Sequence, residues 1–539
     1  MSGSITLENR FGVNKMELIS LKYAIFVIVL LVLYYCFPKK YRWYVLLAGS
    51  MAYYVIICKW YVLFIIFTIC TTYGSTIWID KLLKKQNAIV KSHKEDWDRQ
   101  TRKDYKEKGR KKRVAVMLFA LLCNFGILAF LKYIPYAGEL GLLLPLGISF
   151  YTFQSMGYVM DVYREIVEPE KNFLKVALFV SFFPQIIQGP IAIYDKLAGQ
   201  LYEGHSLRLE NLQKGALLVL WGVMKKLVIA DRAVNIINFV MDKPMDFSGT
   251  YVFFAAVVYA LQLYADFSGG IDIVRGIAEM FGITMSTNFN HPYFSRSLTE
   301  YWHRWHMTLG DWCRNYIFYP LSISKRFLNF GKWLKPRFGA HISKVLPGCI
   351  ASVITFIVIG VWHGANMKYL YFGLWNGIVI MLAELFAPVS KKVAGGFFKL
   401  TGLREKGIFA TIVSVIWIFM LILVGYYFDI AANASTAFHM LFKSVTDFHI
   451  SELGINNIIL NLGACGLDEY DILLLIICTL LWFFISFVEE NKKLDMRDFI
   501  LSRKLPLRWA IIYLGIFIVI IFGYYGPGVN PADFVYMQF

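Results

Sequence analysis

The residues with the clearest chemical promise are histidines set beside tryptophans. Val361-Trp362-His363-Gly364 closes an apolar run. A neutral imidazole there can take a proton from a hydroxyl, since its unperturbed pKa of about 6.5 suits that work near neutral pH. Gly364 lets backbone or substrate approach closely. A histidine that only hydrogen-bonds a neighbouring carbonyl explains these four residues as well, because an isolated His-Gly pair is weak evidence of function. The densest polar and aromatic segment, Thr299–Pro320, holds Glu300, His303, Arg304, His306, Asp311 and Arg314. It reads as helical yet is too polar to face lipid, so its ionisable groups belong on a bundle interior or a watery cavity. His303 and His306 are three apart and are expected on one helix face; Glu300 and Arg304 are four apart and are expected to pair.

Three further stretches are unusually polar for apolar surroundings: Phe182–Pro190, Tyr264–Asp272 and Asn288–Tyr293. Proline and glycine with polar side chains at membrane depth suggest broken helices around a cavity. Asp266 fits such a cavity, or equally a cap on the next helix with Ser268 and Gly269 forming the turn. Phosphate-binding Gly-rich loops and Gly-x-Ser-x-Gly elbows are missing from the sequence, and His303 with His306 lacks the carboxylate and histidine neighbours that complete a metal site. No metal is expected.

The elements that must hold these residues are membrane helices. The chain has 539 residues, 58% hydrophobic and 17% charged, against about 45–50% and about 25% in ordinary soluble domains. Apolar runs fall near 21–37, 43–60, 61–79, 114–134, 142–160, 173–189, 213–231, 250–266, 346–362, 369–387, 408–428, 471–488 and 509–526. Many approach the roughly 20 residues that cross a bilayer, and the rest suit re-entrant or buried helices. No long polar segment reads as a water-soluble domain, so residues 1–539 are expected to form a single transmembrane domain. The eight cysteines form no Cys-x-x-Cys pair, which argues against a disulfide framework or zinc site. Met1 to Glu17 shows no cleavable signal pattern, so the first run is expected to be a retained span.

The net charge of +18 sits in short loops between apolar runs, as expected of cytoplasmic loops rather than of a nucleic-acid binder. Lys81–Arg113 is expected to be a basic cytoplasmic loop, with 14 Lys and Arg against five Asp and Glu. Ser322–Lys344, Ser390–Lys406 and Asn491–Arg508 fit the same side, and the region 445–470, poor in basic residues, fits outside. Both termini are then expected outside, with His363 at the outer end of its span. Lys225 and Lys226 fall inside an apolar run, and the direction of the spans over 142–300 is open.

At these residues the sequence resembles the membrane-bound O-acyltransferase (MBOAT) family. It is most similar to the bacterial branch that O-acetylates alginate and other exported polysaccharides, and next to the D-alanyl transfer protein of teichoic acid synthesis. The resemblance runs through Leu144–Gln154, Phe183-Pro184-Gln185, Gly189-Pro190-Ile191, Asp266–Gly269 and Asn288-Phe289-Asn290. It continues through Trp302–His306 and Trp362–Ala365 to Phe534–Phe539. It implies an all-α polytopic membrane protein with the MBOAT fold, a ring of transmembrane helices around a thin central funnel with re-entrant or short buried helices. It assigns catalysis to His363 and His306. Where the family often has Arg-Arg-Trp-His, this chain has His303-Arg304-Trp305-His306, so His303 receives no catalytic role. Trp302, Arg304, Trp305, Trp362, Asn290, Asp266 and Gln185 are the expected cavity-lining or substrate-binding residues.

The function so implied is membrane O-acyl transfer in a bacterial cell membrane. The donor is acetyl-CoA or a carrier-bound acyl thioester, with no tightly bound cofactor, and the basic inner loops suit such an anionic carrier. The acceptor is an extracytoplasmic or exported glycan, reached with an SGNH-type partner enzyme. On this reading His363 is a general base or an acyl carrier and His306 orients or polarises the thioester carbonyl. Teichoic acid D-alanyl transfer and polysaccharide transport are the competing readings. Transport is disfavoured by the lack of a visible two-fold repeat of hydrophobic segments.

Overall fold

A computed structural model describes residues 16, 18–134, 138, 142, 144–401, 404, 407–454, 457, 465–526 and 534. The expectations placed on the start of the chain, on both termini, on 535–539 and on part of 445–470 lie wholly or partly outside these residues. Seven helices among those described are long and apolar enough to cross a membrane, or eight if a bent pair counts as one span. The protein is therefore an all-α, multi-pass membrane protein, with no strand among the described residues.

Contacts divide the chain into two compact units: residues up to 219 with 270–286, and residues 220–269 with 287 onward. The first unit contains α1 (Leu21–Cys36), α2 (Arg42–Cys58), α3 (Val62–Ser92), α4 (Arg99–Tyr133), α5 (Ile148–Tyr163), α6 (Phe173–Ser181), α7 (Phe183–Gln188) and α8 (Tyr194–Glu203). Helix α5 is buried along nearly its whole length, so this apolar run is a core element that meets protein on all sides. It starts after Gly147, whose φ of 70° and whose approach to the Ile186 carbonyl leave no room for a Cβ. The run 173–189 is broken at Phe182 into α6 and α7, as its Pro184 and polar residues suggested.

Residues 81–113 are mostly helix rather than a loop. They form the polar ends of α3 and α4, joined by a short turn at 93–98. Lys, Arg, Glu and Gln are good helix formers, so the helices continue past their apolar portions. Asp98 caps α4 by accepting a hydrogen bond from Thr101 N at 3.0 Å.

The division falls within the residues of α9 (Leu209–Met224) and α11 (Gly249–Met280); a π turn, Lys225–Ala230, leads from α9 into α10 (Asp231–Met241). The second unit then holds α12 (Leu298–Arg304), α13 (Met307–Cys313), α14 (Lys325–His363), α15 (Met367–Leu385), α16 (Ala387–Thr401), α17 (Ile408–Ile430), α18 (Ala434–Thr446), α19 (Glu469–Lys492), α20 (Met496–Leu501) and α21 (Leu505–Phe522). The basic stretches expected as loops at 322–344 and 390–406 are largely the helical ends of α14 and α16. Helix α14 is kinked at Gly339, where φ is 81°.

Helices α14 and α15 form a close antiparallel hairpin. A Cβ on Gly360 would lie 2.3 Å from the Tyr369 carbonyl oxygen, and one on Gly373 would lie 2.4 Å from that of Phe356. Small residues let helix backbones approach in this way in membranes. The hairpin sets His363 at the last position of α14, just before the turn.

Candidate functional site

The segment around His306 is built on a break. Helix α12 ends at Arg304, Trp305 is extended, and His306 adopts the left-handed region at φ 44°. Two backbone hydrogen bonds tie this break to the preceding loop: Asn290 N donates to the Arg304 carbonyl at 3.0 Å, and Met307 N donates to that of Asn288 at 2.9 Å. The Asn288 carboxamide oxygen accepts from Thr308 N at 3.1 Å and Thr308 Oγ1 at 2.9 Å. It thus caps α13 in place of the residue before the helix. The same oxygen lies 3.2 Å from His306 Nδ1.

This geometry corrects the helical reading of Thr299–Pro320. His303 and His306 do not share a face: His303 is exposed and His306 is buried, because the chain turns between them. The expected pair of Glu300 and Arg304 is present at 2.8 Å, and Arg304 also bonds Glu490 at 3.0 Å. Arg304 is thereby held in an ion-pair network.

Asn288 also decides the tautomer of His306. Its oxygen can only accept, so Nδ1 of a neutral ring must carry the proton and Nε2 is the ring's acceptor nitrogen. His306 lies outside the candidate spans. Burial first, and the neighbouring His363 second, push its pKa down to about 3. The ring is therefore neutral at ordinary pH and able to accept a hydrogen bond at Nε2.

His306 and His363 line one cavity. Trp302, Trp305, Tyr301, Asn376, Tyr426 and Asp429 contribute to its wall. His363 is half-buried, its ring 4.9 Å from Trp362 and 5.5 Å from Phe372, centroid to centroid. The ring of Tyr369 stacks on it at 6.0 Å and comes so close to Gly364 that a Cβ there would sit 2.5 Å from a ring carbon. Gly364 thus makes room for Tyr369. Trp302 Nε1 donates to Asn376 Oδ1 at 3.1 Å. The enclosed space is about 20 Å³, room for about one water and too small for a whole glycan or cofactor.

The remaining expected lining residues lie elsewhere. Trp362 is buried beside His363, with its ring 6.3 Å from that of His306. Asn290 is exposed; Asn288, two residues earlier, is the asparagine that meets His306. Asp266 neither caps nor breaks a helix. It sits inside unbroken α11, fully buried, in an ion pair with Lys226 at 2.6 Å. Lys226 also pairs with Asp231 at 2.8 Å, and Lys225 donates to Ser268 at 2.8 Å. Lys226 is therefore balanced by two buried aspartates, and Lys225 is held by a hydroxyl. Gln185 belongs to the first unit, where it bonds the Pro190 carbonyl at 3.0 Å and contacts Gln154. Among the described residues no group of three or more His, Cys, Asp or Glu could hold a metal ion.

Asn376, Tyr426 and Asp429 were missed. Asn376 lies within an apolar run and Asp429 ends another, and a polar group in such a place is itself a signal. Tyr259 OH donates to Asp429 Oδ2 at 2.7 Å, while the Tyr301 and Tyr426 hydroxyls meet at 2.7 Å.

Fold and site together define a polytopic membrane protein with two histidines on one small, largely apolar cavity. Residues 169–335 match the sequence model of MBOAT, the membrane-bound O-acyltransferase family. The match includes His306 and stops before His363. Among curated proteins, the chain is 30% identical to the peptidoglycan O-acetyltransferase of Helicobacter pylori, over 51% of this chain and 56% of that protein. It is 30% identical to a probable alginate O-acetylase AlgI of Pseudomonas syringae pv. tomato, over 58% and 54%. It is 26% identical to the teichoic acid D-alanyltransferase of Bacillus subtilis, over 46% and 60%. The chain spans about half the length of the curated relatives it matches.

Proposed function

We propose that this protein is a membrane O-acyltransferase that moves an acyl group, acetyl in the first instance, from a thioester to a hydroxyl of an extracytoplasmic polysaccharide. The observation that carries this reading is the convergence of His306 and His363 on one cavity. Relatives named O-acetyltransferase and O-acetylase support the choice of acetyl. The donor is acetyl-CoA or a carrier-bound thioester approaching from the cytoplasm. An SGNH-type partner completes delivery to the glycan. The host membrane is a bacterial cell membrane, with both termini outside.

In this mechanism the acceptor oxygen forms a bond to the acyl carbon while the carbon–sulfur bond breaks. The hydroxyl proton passes to His363 and then to the departing thiolate. Because His306 presents an acceptor nitrogen, it is suited to orienting a hydroxyl rather than polarising a carbonyl.

The test is thioester consumption by purified protein. His363→Ala should lower transfer by about 100-fold or more with insertion and yield unchanged; normal turnover in that variant would sink the mechanism. Supplying acetyl-CoA and a carrier-bound D-alanyl thioester side by side separates the two acyl groups that the relatives' names suggest.

A further inference from the structure

The polar ends of α3 and α4 enclose a groove of about 710 Å³. It lies within the first unit and shares no residue with the histidine cavity. Six cations line it, Arg99, Arg102, Lys103, Lys106, Arg110 and Arg113, together with only two carboxylates, Glu107 and Glu165. Glu107 is engaged by Arg110, whose Nε donates to it at 2.8 Å. Glu165 stands 3.8 Å from Arg113. Arg99, Lys103 and Lys106 are exposed and have no carboxylate partner among the described residues. Ordinary helix surfaces mix both signs of charge, so this excess calls for an anion.

A second observation points the same way. Arg113 is only 7% exposed, and its Nε has no hydrogen-bond partner among the described residues. Its Nη1 donates to Gln86 Oε1 at 3.0 Å, which fixes the guanidinium in the groove wall. A buried guanidinium N–H without an acceptor is costly, and a phosphate oxygen is the acceptor its planar fork fits best.

The shape argues for a small ligand. The volume lies within the roughly 300–1,000 Å³ usual for small-molecule pockets. A bilayer surface is a poor match. Arg99 stands fourteen residues from Arg113, about 21 Å along the helix axis, and Arg113 adjoins the apolar part of α4. Membrane charge is screened over about 8 Å and acts weakly on the far end.

We infer that the groove between α3 and α4 is a binding site for a soluble nucleotide bearing two or more phosphate groups. The phosphates lie among Lys103, Lys106 and Arg113. The site stands whether or not the acyl-transfer reading holds, and binding is therefore measured on the unaltered chain and on His363→Ala alike. The same chemistry comes from free nucleotides and from the nucleotide end of coenzyme A.

Equilibrium binding to full-length protein in neutral phosphatidylcholine nanodiscs tests it, with adenosine 3′,5′-bisphosphate as probe. The expected result is saturable binding that inorganic phosphate competes with weakly and adenosine does not share. It should weaken about tenfold or more in the surface double variant Lys103→Gln/Lys106→Gln, and with added salt, as a site built on several charges requires. Arg113→Gln should abolish it; if that variant does not fold, the surface pair decides alone. Comparable binding of coenzyme A and the bisphosphate indicates that phosphates alone are read, and tighter binding of coenzyme A assigns the site to a thioester carrier. No saturable binding at millimolar probe, or binding indifferent to the double substitution, overturns the inference. So does a groove that captures anionic vesicles but no nucleotide.

Discussion

Replacing Asn288 by alanine removes one oxygen that serves three groups: Thr308 N, Thr308 Oγ1 and His306 Nδ1. The first is the cap of α13, worth about 0.5–2 kcal/mol. The other two become buried donors without their acceptor; the hydroxyl can rotate to a new partner, whereas the imidazole N–H cannot do so without turning the ring. Loss of such a buried partner costs about 1–3 kcal/mol. Overlap between these effects puts the total at about 2–4 kcal/mol. The catalytic consequence is separable. Without the oxygen at Nδ1, the neutral ring is free to carry its proton on Nε2, and in that tautomer it cannot accept there. Transfer should fall about 10–100-fold, by analogy with loss of a partner that orients a functional histidine. Thermal unfolding in detergent reads the first effect, and thioester turnover well below the variant's melting temperature reads the second. Asn288→Asp keeps an acceptor for all three donors and should recover turnover better than alanine does. If Asn288→Ala matched the unaltered protein in both measurements, the account of the broken helix and of the His306 tautomer would be refuted.

Other outcomes follow from the same structure. Lys226→Met strands Asp231 and Asp266 in the interior and should cost about 3–5 kcal/mol, whereas the triple change Lys226→Met/Asp231→Asn/Asp266→Leu should recover much of it; equal loss in both would deny the ion-pair account, with unfolding as the measurement. His306 is depressed to about 3 in the folded protein against about 6.5 unfolded. Its contribution is therefore fully present above about pH 6.5 and lost as the pH falls towards 3, at up to about 1.4 kcal/mol per pH unit. His306→Gln should flatten the acid limb of stability against pH by that one-proton slope, and an unchanged slope would contradict the burial of a neutral ring.

Local relationships were legible in the sequence. The Glu300–Arg304 pair follows from helical spacing and is found as expected. Membrane character follows from composition and the apolar runs, and the position of His363 at the end of a helix follows from where its run stops. Length and polarity alone could not separate spans from buried helices, and α5 belongs to the latter. Nor could charge alone tell a loop from a helix that outlasts its apolar part, as α3 and α4 do.

What the sequence by itself determined is a chain of apolar helices with chemically able residues at their interruptions. Propensity, periodicity and transfer free energy act over a few residues and are written in local order. What only the tertiary structure decided is which of those residues meet. Asn288 reaches His306 across 18 positions and Lys226 reaches Asp266 across 40. Such pairs form because a buried polar group must find a partner in three dimensions, and nothing in the intervening residues names it.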